Sequence, residues 1–345
     1  MEAKHVVALV WRTPAVLNRG SLIGFGLCCG AVAHSGAQLP SRATLPPLHH
    51  EAVAFDPARG RLVVYGGSDS LTGTWEWDGA RWTQAADSVS SPPRRDGSTL
   101  GYDPSQRKVV MFGGWWSNPR TPAFRMFCDT WTFDGRRWEQ ANDGPCITDR
   151  VRNNSIIYNV RRRTLYLLDG TPEVDPDALR PLRIWRWTGR AWSMVDSLGP
   201  RRGGWDRGVY DASRGVIVFP VFAGPDAGVW EWDGSQWRHL TPSSGPAARQ
   251  AQALEYDSRR QRVVMIGGQT YDRPAKYLGD AWTWGGTRWE QLMLAGAPNE
   301  RSGGNLVDDS VHGRLLYFGG YKGPPMQLLQ EMWFLERDGW TQWRP

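Results

Sequence analysis

A tryptophan pattern that returns six times constrains the fold of this chain more than any other feature. The first copy is Trp75-Glu-Trp-Asp-Gly-Ala-Arg-Trp82, whose outer tryptophans stand seven residues apart and enclose a third tryptophan and an Asp-Gly pair. Alternate residues of a strand share a face, so Trp75 and Trp77 lie on one side, and Asp78-Gly79 suits a tight turn. Each copy therefore predicts a β-hairpin with large rings on its covered face. The outer tryptophans of the six copies are Trp75/Trp82, Trp131/Trp138, Trp185/Trp192, Trp230/Trp237, Trp282/Trp289 and Trp333/Trp340.

A second recurring element precedes each tryptophan hairpin. An Asp, in most copies after an aromatic residue, leads into an apolar strand and, ten residues later, to paired glycines. Asp169-Gly170 and Val221-Phe222 replace the pair in the third and fourth copies, although the spacing is kept. Repeats of about 46 to 56 residues with four strand signals each predict a β-propeller rather than a helical solenoid. The four glycine pairs are Gly66-Gly67, Gly113-Gly114, Gly267-Gly268 and Gly319-Gly320.

The apolar strand before the glycines predicts how the units pack. Leu62 to Tyr65 carries no charged side chain, and a strand that is apolar on both faces is covered on both faces. Glycine has no β-carbon, so the following pair permits a close approach between neighbouring segments. With 21 Trp in the chain, we expect the tryptophans to pack between adjacent units.

Together, the glycine pairs, the Asp ten residues before them and the closing tryptophan resemble the repeat of Kelch β-propellers. The resemblance covers about residues 49–345 and implies an all-β, six-bladed Kelch-type β-propeller with four antiparallel strands per blade. Each unit begins with the Asp-bearing strand and finishes with the tryptophan strand, so we expect no strand to be exchanged between the termini. The expected blades are approximately residues 49–87, 91–143, 144–197, 199–241, 245–292 and 296–345.

Residues 1–37 have the features of an export signal. A basic region with Lys4, Arg12 and Arg19 precedes an apolar core, and small residues suit cleavage near Ala33 or Ala37. We therefore expect an exported protein, periplasmic or extracellular, although the long basic region also fits a start codon placed too early. The apolar core is too short to predict stable membrane insertion. Residues 38–48 form a Pro-rich tail that we expect to pack across the closure of the ring.

The net charge limits the classes of partner, and the cysteine content indicates the redox environment. The first 37 residues hold three basic residues and one acidic residue, so their removal lowers the formal charge from +6 to +4. That charge is too mild to predict nucleic-acid binding. Cys128 and Cys146 are the two cysteines outside the signal, and an exported protein favours a disulfide between them, which stabilises by about 3 kcal/mol in the loop-entropy model. Two unpaired thiols remain the alternative.

A repeated arginine is the first candidate for ligand binding. Arg95, Arg249 and Arg301 stand eight residues before the repeat Asp in three units. Arginines at this place line the partner pocket of binding Kelch proteins, so the resemblance implies an arginine-lined mouth suited to carboxylates, sulfates or phosphates. The alternative is that each arginine pairs with an Asp or a loop carbonyl and fastens adjacent blades. Arginines close to the same register in the third and fourth units are Arg150, Arg152 and Arg202.

Insertions between the glycine pairs and the tryptophan strands supply a second set of candidates. Their aromatic residues are not part of the repeat, and aromatic loops on a rigid scaffold suit sugars or peptides. The alternative is that these rings cover the grooves between blades. The insertion aromatics are Trp115, Trp116, Phe124, Tyr271, Tyr277 and Tyr321.

Catalysis is the remaining question, because the resemblance includes galactose-oxidase-like proteins and sialic-acid mutarotases. The histidines after residue 37 are His49, His50, His239 and His312, whose spacing is not that of metal ligands, and we predict no metal or cofactor. No nucleophile elbow, phosphate loop or zinc-protease helix motif occurs. An enzyme would instead need a pair of polar groups, outside the repeat pattern, that converge in the channel.

The sequence favours a monomeric binding module over an enzyme. Its ligand would be a protein or glycan partner with acidic character, namely an acidic peptide, a glycan or an envelope component, held by the arginines and the insertion aromatics. The alternative is a carbohydrate-active enzyme of the mutarotase or galactose-oxidase-like kind that uses carboxylates and arginines in the channel.

Overall fold

Six antiparallel sheets build the molecule, and each contains four strands arranged in the order of the chain. The first sheet also has Ser41–Arg42 as a fifth strand. The structure, a computed structural model, describes residues 41–42, 48–67, 73–117, 121, 123–142, 154–169, 180–202 and 206–345. These residues form strands, turns and loops and no helix. The prediction of an all-β, six-bladed propeller with four antiparallel strands per blade is confirmed.

The four strands of each blade follow the sequence from the centre outward. The innermost strands are Ala52–Asp56, Thr99–Asp103, Ser155–Asn159, Val209–Asp211, Ala253–Asp257 and Asn305–Asp309. The second strands are Arg61–Tyr65, Lys108–Phe112, Thr164–Leu168, Val216–Val221, Arg262–Ile266 and Arg314–Phe318. The third strands are Thr74–Trp77, Thr130–Phe133, Ile184–Trp187, Gly228–Trp232, Ala281–Trp284 and Met332–Leu335. The outermost strands are Trp82–Ala86, Trp138–Asn142, Trp192–Asp196, Trp237–Leu240, Trp289–Gln291 and Trp340–Gln342.

The innermost strands form a closed ring around a central channel. Each contacts the innermost strands of the two neighbouring blades, and Ala52–Asp56 meets Asn305–Asp309 to close the ring. Because neighbouring strands are antiparallel, the connections between strands one and two and between strands three and four lie at one end of the ring, which we call the turn face. The connections between strands two and three, and the entry into each innermost strand, lie at the opposite end, which we call the loop face.

Each repeat Asp ends an innermost strand and shapes the turn that follows. In blade 1, Asp56 Oδ1 accepts hydrogen bonds from the backbone N–H groups of Ala58 at 3.0 Å and Arg59 at 3.2 Å. Asp56 is 1% exposed, so the carboxylate is paired rather than open to a ligand. The repeated Asp therefore has a structural role, as expected for a residue in a turn pattern.

The tryptophans pack between blades. Trp138 of blade 2 donates a hydrogen bond from Nε1 to Thr74 Oγ1 of blade 1 at 2.7 Å, and Trp192 of blade 3 donates to Thr130 of blade 2 at 3.0 Å. Each contact joins an outermost strand to the third strand of the preceding blade. A large ring and one polar contact thus fix the angle between neighbouring sheets.

The segment before blade 1 contributes to the closure of the ring. Ser41–Arg42 pairs antiparallel with the outermost strand of blade 1, opposite Thr83 and Trp82. Leu48 is 2% exposed and belongs to a hydrophobic cluster with side chains of blade 1, such as Leu62, and of blade 6, such as Phe318. The first and last blades are therefore joined by side-chain packing.

The glycine pairs permit the close approach that the sequence predicts. Gly267 has a φ of +71°, and a β-carbon there would lie 2.7 Å from the carbonyl oxygen of Arg301 in the next blade. Gly66 has a φ of +74°, and its β-carbon would lie 2.6 Å from the carbonyl oxygen of Arg95. Any larger residue would push the loop of the following blade outward.

Short strands outside the blades lie in the insertions and connections. Trp115–Ser117 pairs with Phe124–Met126, Tyr321–Lys322 pairs with Gln327–Leu328, and Arg180–Pro181 pairs with Arg201–Arg202. Within the described ranges, no helix has the length and apolar character needed to cross a membrane.

Candidate functional site

The repeated arginines predicted to bind a ligand are completely buried, and Arg95 shows what they contact. Its Nη2 donates to Asp129 Oδ2 at 3.0 Å, and its Nη1 donates to the other oxygen of the same carboxylate. Nε donates to the carbonyl of Pro93 at 3.0 Å, and Nη1 also reaches the carbonyl of Gly113 at 3.2 Å. Protein groups thus occupy the donors that a ligand would need.

The same geometry returns in blade 5, and a looser version of it is present in blade 6. Arg249 donates to both oxygens of Asp280, at 2.7 and 2.8 Å, and to the carbonyl of Gly267 at 3.1 Å. Arg301 is also buried and lies 3.6 Å from the carboxylate of Glu331. In each case the acidic residue directly precedes the third strand of the same blade. The burial and the acidic partners of these three arginines favour the alternative of fastening, and the arginine-lined mouth stays a prediction.

The other candidate arginines belong to blades 3 and 4. Arg150 and Arg152 lie outside the described residues. Arg202 lies in the short strand Arg201–Arg202, where it stands opposite Arg180.

Six aromatic side chains on the loop face form one continuous series of ring contacts, which we call the aromatic arc. His49 and His50 stack at its centre, with ring centroids 3.8 Å apart. His49 meets the edge of Tyr321 at 5.3 Å, and His50 meets Trp115 at 5.9 Å. These contacts join the entry of blade 1 to the insertions of blades 6 and 2. In spatial order, the arc consists of Tyr277, Tyr321, His49, His50, Trp115 and Phe124.

The two ends of the aromatic arc come from further insertion residues. Tyr277 of blade 5 contacts Tyr321 at 6.2 Å, and its hydroxyl donates to the carbonyl of Gly323 at 3.2 Å. Phe124 stacks on Trp115 at 6.2 Å and is 43% exposed. The arc therefore spans the loop face from blade 5 to blade 2 and exposes aromatic surface at its end.

Backbone hydrogen bonds hold the insertions that carry the arc. Trp115 and Asp96 exchange two such bonds, at 2.7 and 2.9 Å, and Tyr321 and Ser302 exchange two at 2.9 Å. Asp96 and Ser302 each directly follow a buried arginine. The buried arginines thus hold the backbone segments that pair with the aromatic insertions. Their contribution to the loop face is to position these insertions.

The remaining insertion aromatics lie beside the arc or across the channel. Trp116 is half-buried and follows Trp115 in the same hairpin. Tyr271 is 41% exposed, and its partial burial together with the Asp206 carboxylate raises its pKa. Because Asp206 precedes the innermost strand of blade 4, Tyr271 lies close to the entry of that blade.

Two charged groups that the repeat does not predict line the central channel, a cavity of about 320 Å³. Glu51 is 5% exposed and accepts a hydrogen bond from Asn305 Nδ2. Burial raises the pKa of Glu51 to about 7, although the Arg207 charge and Asn305 oppose the shift. Arg207 is exposed to solvent, but desolvation by the surrounding channel atoms lowers its pKa, and the charge of Glu51 opposes that shift. A channel carboxyl group whose pKa is raised toward neutrality can exchange a proton with a bound molecule.

The channel also contains two carboxyl groups nearer the turn face. Burial raises the pKa of Glu255 to about 8, and the charge of Asp308 adds to this shift. Burial raises the pKa of Asp308 to about 6, although hydrogen bonds from Ser258 oppose it. Asp308 occupies the place that an aromatic residue holds in the other blades. Those aromatic residues are Phe55, Tyr102, Tyr158, Tyr210 and Tyr256, and all of them line the cavity.

Cys128 is disulfide-bonded. Its predicted partner, Cys146, lies outside the described residues. Within the described ranges, no group of three or more His, Cys, Asp or Glu residues is arranged to hold a metal ion.

These observations define the class of protein as a six-bladed β-propeller with an aromatic loop face and a charged channel. No protein-family model matches the chain. A solved structure of YjhT superposes with a TM-score of 0.65 at 14% identity, covering 88% of this chain and 99% of that one, which shows a shared fold.

A curated relative matches part of the chain. Mei4-dependent protein 6 of Schizosaccharomyces pombe (strain 972 / ATCC 24843) is 24% identical over 211 residues. The match covers 52% of this chain and 29% of the relative's length, so the chain corresponds to less than a third of that protein.

Proposed function

We propose that this chain is an exported Kelch-type binding module that recognises a glycan or peptide with an acidic group on its loop face. The aromatic arc carries the proposal. Its rings come from four blades and are held by paired backbone bonds, so they form a rigid platform on which a sugar or a flat side chain can stack. Export by residues 1–37 is part of the same proposal and rests on the sequence alone.

Arg207 supports an acidic group on the ligand. It lines the channel and has Glu51 as a nearby opposite charge. A ligand carboxylate can form two parallel hydrogen bonds with a guanidinium group, and protonated Glu51 would then leave that interaction unopposed. A glycan that stacks on the arc and carries a terminal acid therefore fits this face.

An array of glycans and acidic peptides, probed with the purified chain, tests the proposal. The double variant Trp115→Ala, Tyr321→Ala removes two rings of the arc, and we expect it to lose binding while its melting temperature stays within a few degrees of the parent. Trp116→Ala, in the same hairpin but outside the arc, is the matched control and should bind normally. Binding that the double variant retains would exclude the arc as the site.

A carbohydrate-active enzyme of the mutarotase or galactose-oxidase-like kind is the second candidate function. The observation that favours it is that Glu51 and Arg207, neither of which belongs to the repeat, line the same channel and influence each other electrostatically. An acid near pKa 7 can act as a proton donor and acceptor in the interconversion of sugar anomers. Anomer exchange of acidic sugars followed by NMR should be fast with the parent chain and slow with Glu51→Gln. Equal rates for the two proteins, at the uncatalysed level, would leave binding as the function.

A further inference from the structure

The turn face of blade 3 carries an unusual concentration of positive charge. Five arginines of this blade are exposed there or on the adjoining strands, and the chain brings them together in two short segments. They are Arg161, Arg162, Arg163, Arg186 and Arg190.

Blade 4 shows how a unit can compensate such charges. Arg214, three residues after the repeat Asp, lies 2.7 Å from Asp211 and also pairs with Glu231 of the third strand. Glu231 is 2% exposed and additionally accepts hydrogen bonds from Arg238 and from Trp284 of blade 5. The arginine of this repeat position is thus neutralised by two buried carboxylates.

Blade 1 has the same arrangement. Arg59 lies 2.7 Å from Asp56 and 2.7 Å from Glu76, which stands on the third strand at the position of Glu231. Two blades therefore place one arginine between the same two acidic positions. The pairing is thus not confined to one blade.

Blade 3 keeps the arginine and lacks both acids. Asn159 stands in place of the repeat Asp, and Arg186 stands in place of the third-strand Glu. Arg162, the equivalent of Arg214, packs over Gly234 of blade 4, and among the described residues it has no carboxylate within ion-pair distance. The same holds for Arg186. Two like charges thus stand where other blades hold ion pairs.

An open cavity of about 560 Å³ lies between these two arginines, and we call it the arginine cleft. Tyr166 lies at its base and makes no hydrogen bond through its hydroxyl to another described residue. Burial raises the pKa of Tyr166, and the charges of Arg162 and Arg186 both oppose that shift, so both cations lie near the ring. The lining residues are Arg162, Thr164, Tyr166, Arg186, Trp187 and Thr188.

We propose that the arginine cleft binds a phosphate monoester group. A tetrahedral oxyanion with two negative charges would neutralise both guanidinium groups, and each guanidinium can form two hydrogen bonds with it. The Tyr166 hydroxyl supplies a further donor at the base of the cleft. A single carboxylate would leave one of the two positive charges unbalanced.

The arginine cleft is separate from the site of the proposed function. It lies on the turn face, whereas the aromatic arc and Glu51 lie on the loop face, and its lining shares no residue with the central channel cavity. Failure of one proposal therefore leaves the other standing.

Calorimetric titration of the purified chain with inorganic phosphate tests the cleft. Arg186→Glu recreates the acidic position of blades 1 and 4, so Arg162 gains an internal partner and phosphate binding should weaken at least about tenfold. Arg337→Glu, an exposed turn-face position in blade 6, changes the net charge equally and should bind phosphate like the parent. Arg162→Gln should also lose binding and serves as a second variant.

Vesicle binding distinguishes the source of the phosphate, and the phosphate titration decides whether the proposal holds. The vesicle measurement is sedimentation of the chain with phosphatidylcholine vesicles that contain phosphatidic acid. If the parent sediments with the vesicles and Arg186→Glu does not, the phosphate belongs to a lipid. If the parent binds phosphate but not the vesicles, the phosphate belongs to a soluble ester. No phosphate binding by the parent, or equal binding by Arg186→Glu, overturns the proposal. Equal weakening by Arg337→Glu also overturns it, because diffuse charge would then explain the attraction.

Discussion

The repeat arginines of blades 2 and 5 and two arginines of blade 3 lie in opposite surroundings: the first are buried and paired with acids, and the second are exposed. Arg95 and Arg249 are completely buried, and each forms two hydrogen bonds with one carboxylate of its own blade. Arg162 and Arg186 are exposed and face a shared cleft. The difference teaches that an arginine in these units is buried and paired where the unit supplies an acid, and stays exposed where the unit does not.

Removal of a buried arginine should have the largest effect. Arg249→Ala leaves Asp280 without its cationic partner, with Trp282 Nε1 still donating to it, and we expect a loss of about 3 kcal/mol in the free energy of unfolding. Urea denaturation measures this loss. Arg162→Ala is the matched control from blade 3 and should change stability by less than about 0.5 kcal/mol. Similar losses for the two variants would remove the distinction between paired and unpaired arginines.

The channel extends the comparison to carboxylates. Burial opposes ionisation of Asp129, but the hydrogen bonds from Arg95 outweigh it and hold the pKa of Asp129 below its usual value. Glu51 has Arg207 nearby and Asn305 as a hydrogen-bond donor, and burial still raises its pKa to about 7. The two carboxylates should therefore respond to pH in opposite ways.

Glu51→Gln tests this difference through the pH dependence of stability. A pKa raised in the folded state means that folding binds a proton, so the contribution of Glu51 is fully present below its unfolded pKa of 4.5 and is lost as pH rises through 7. The stability of the variant relative to the parent should thus rise by about 3 kcal/mol between pH 4 and pH 8. Melting curves at several pH values measure the change. A relative stability that stays constant with pH would show that Glu51 is not buried as a proton-binding group.

Uncharged fasteners between blades should matter less. Thr130→Val removes the acceptor for Trp192 Nε1 while it preserves the side-chain shape, and we expect a loss of about 1–2 kcal/mol. Thr132→Val is the control, because Thr132 is also buried on a third strand but makes no side-chain hydrogen bond to another described residue. Denaturation midpoints that shift equally would show that the loss comes from the hydroxyl group itself rather than from the bond between blades.

The fold followed from the sequence because each blade repeats the same local rules. The spacing of Asp56 and Gly66, and of Trp75 and Trp82, recurs in other units, so one unit predicts the rest. The sequence also contains a signal for the pairing of the buried arginines. In the three units that have such an arginine, an acidic residue stands two positions before the repeat tryptophan, as Asp129 does before Trp131. The arginine and the acid occur in the same units, which favours an ion pair over a ligand site.

The sites depend on contacts between distant units, which a repeat pattern does not contain. His50 and Trp115 are 65 positions apart, and Glu51 meets Asn305 across the closure of the ring. Such pairs become neighbours only when all six blades are in place. Arg186 is different, because it breaks the pattern at a position where two other blades have Glu, and a comparison of the units would have detected it.

Arg186→Glu should have the smallest effect on stability, and we expect that effect to be a stabilisation. The change removes a repulsion between two cations and gives Arg162 the kind of partner that Glu231 gives Arg214. Because the pair is exposed, we expect a gain of up to about 1 kcal/mol rather than a loss. The gain should decrease in 1 M salt, where the screening length is about 3 Å. Denaturation of parent and variant at low and high salt measures both effects, with Arg337→Glu as the control for net charge. A salt-independent loss of stability would mean that Arg186 already has a favourable partner, and blade 3 would then be compensated as blades 1 and 4 are.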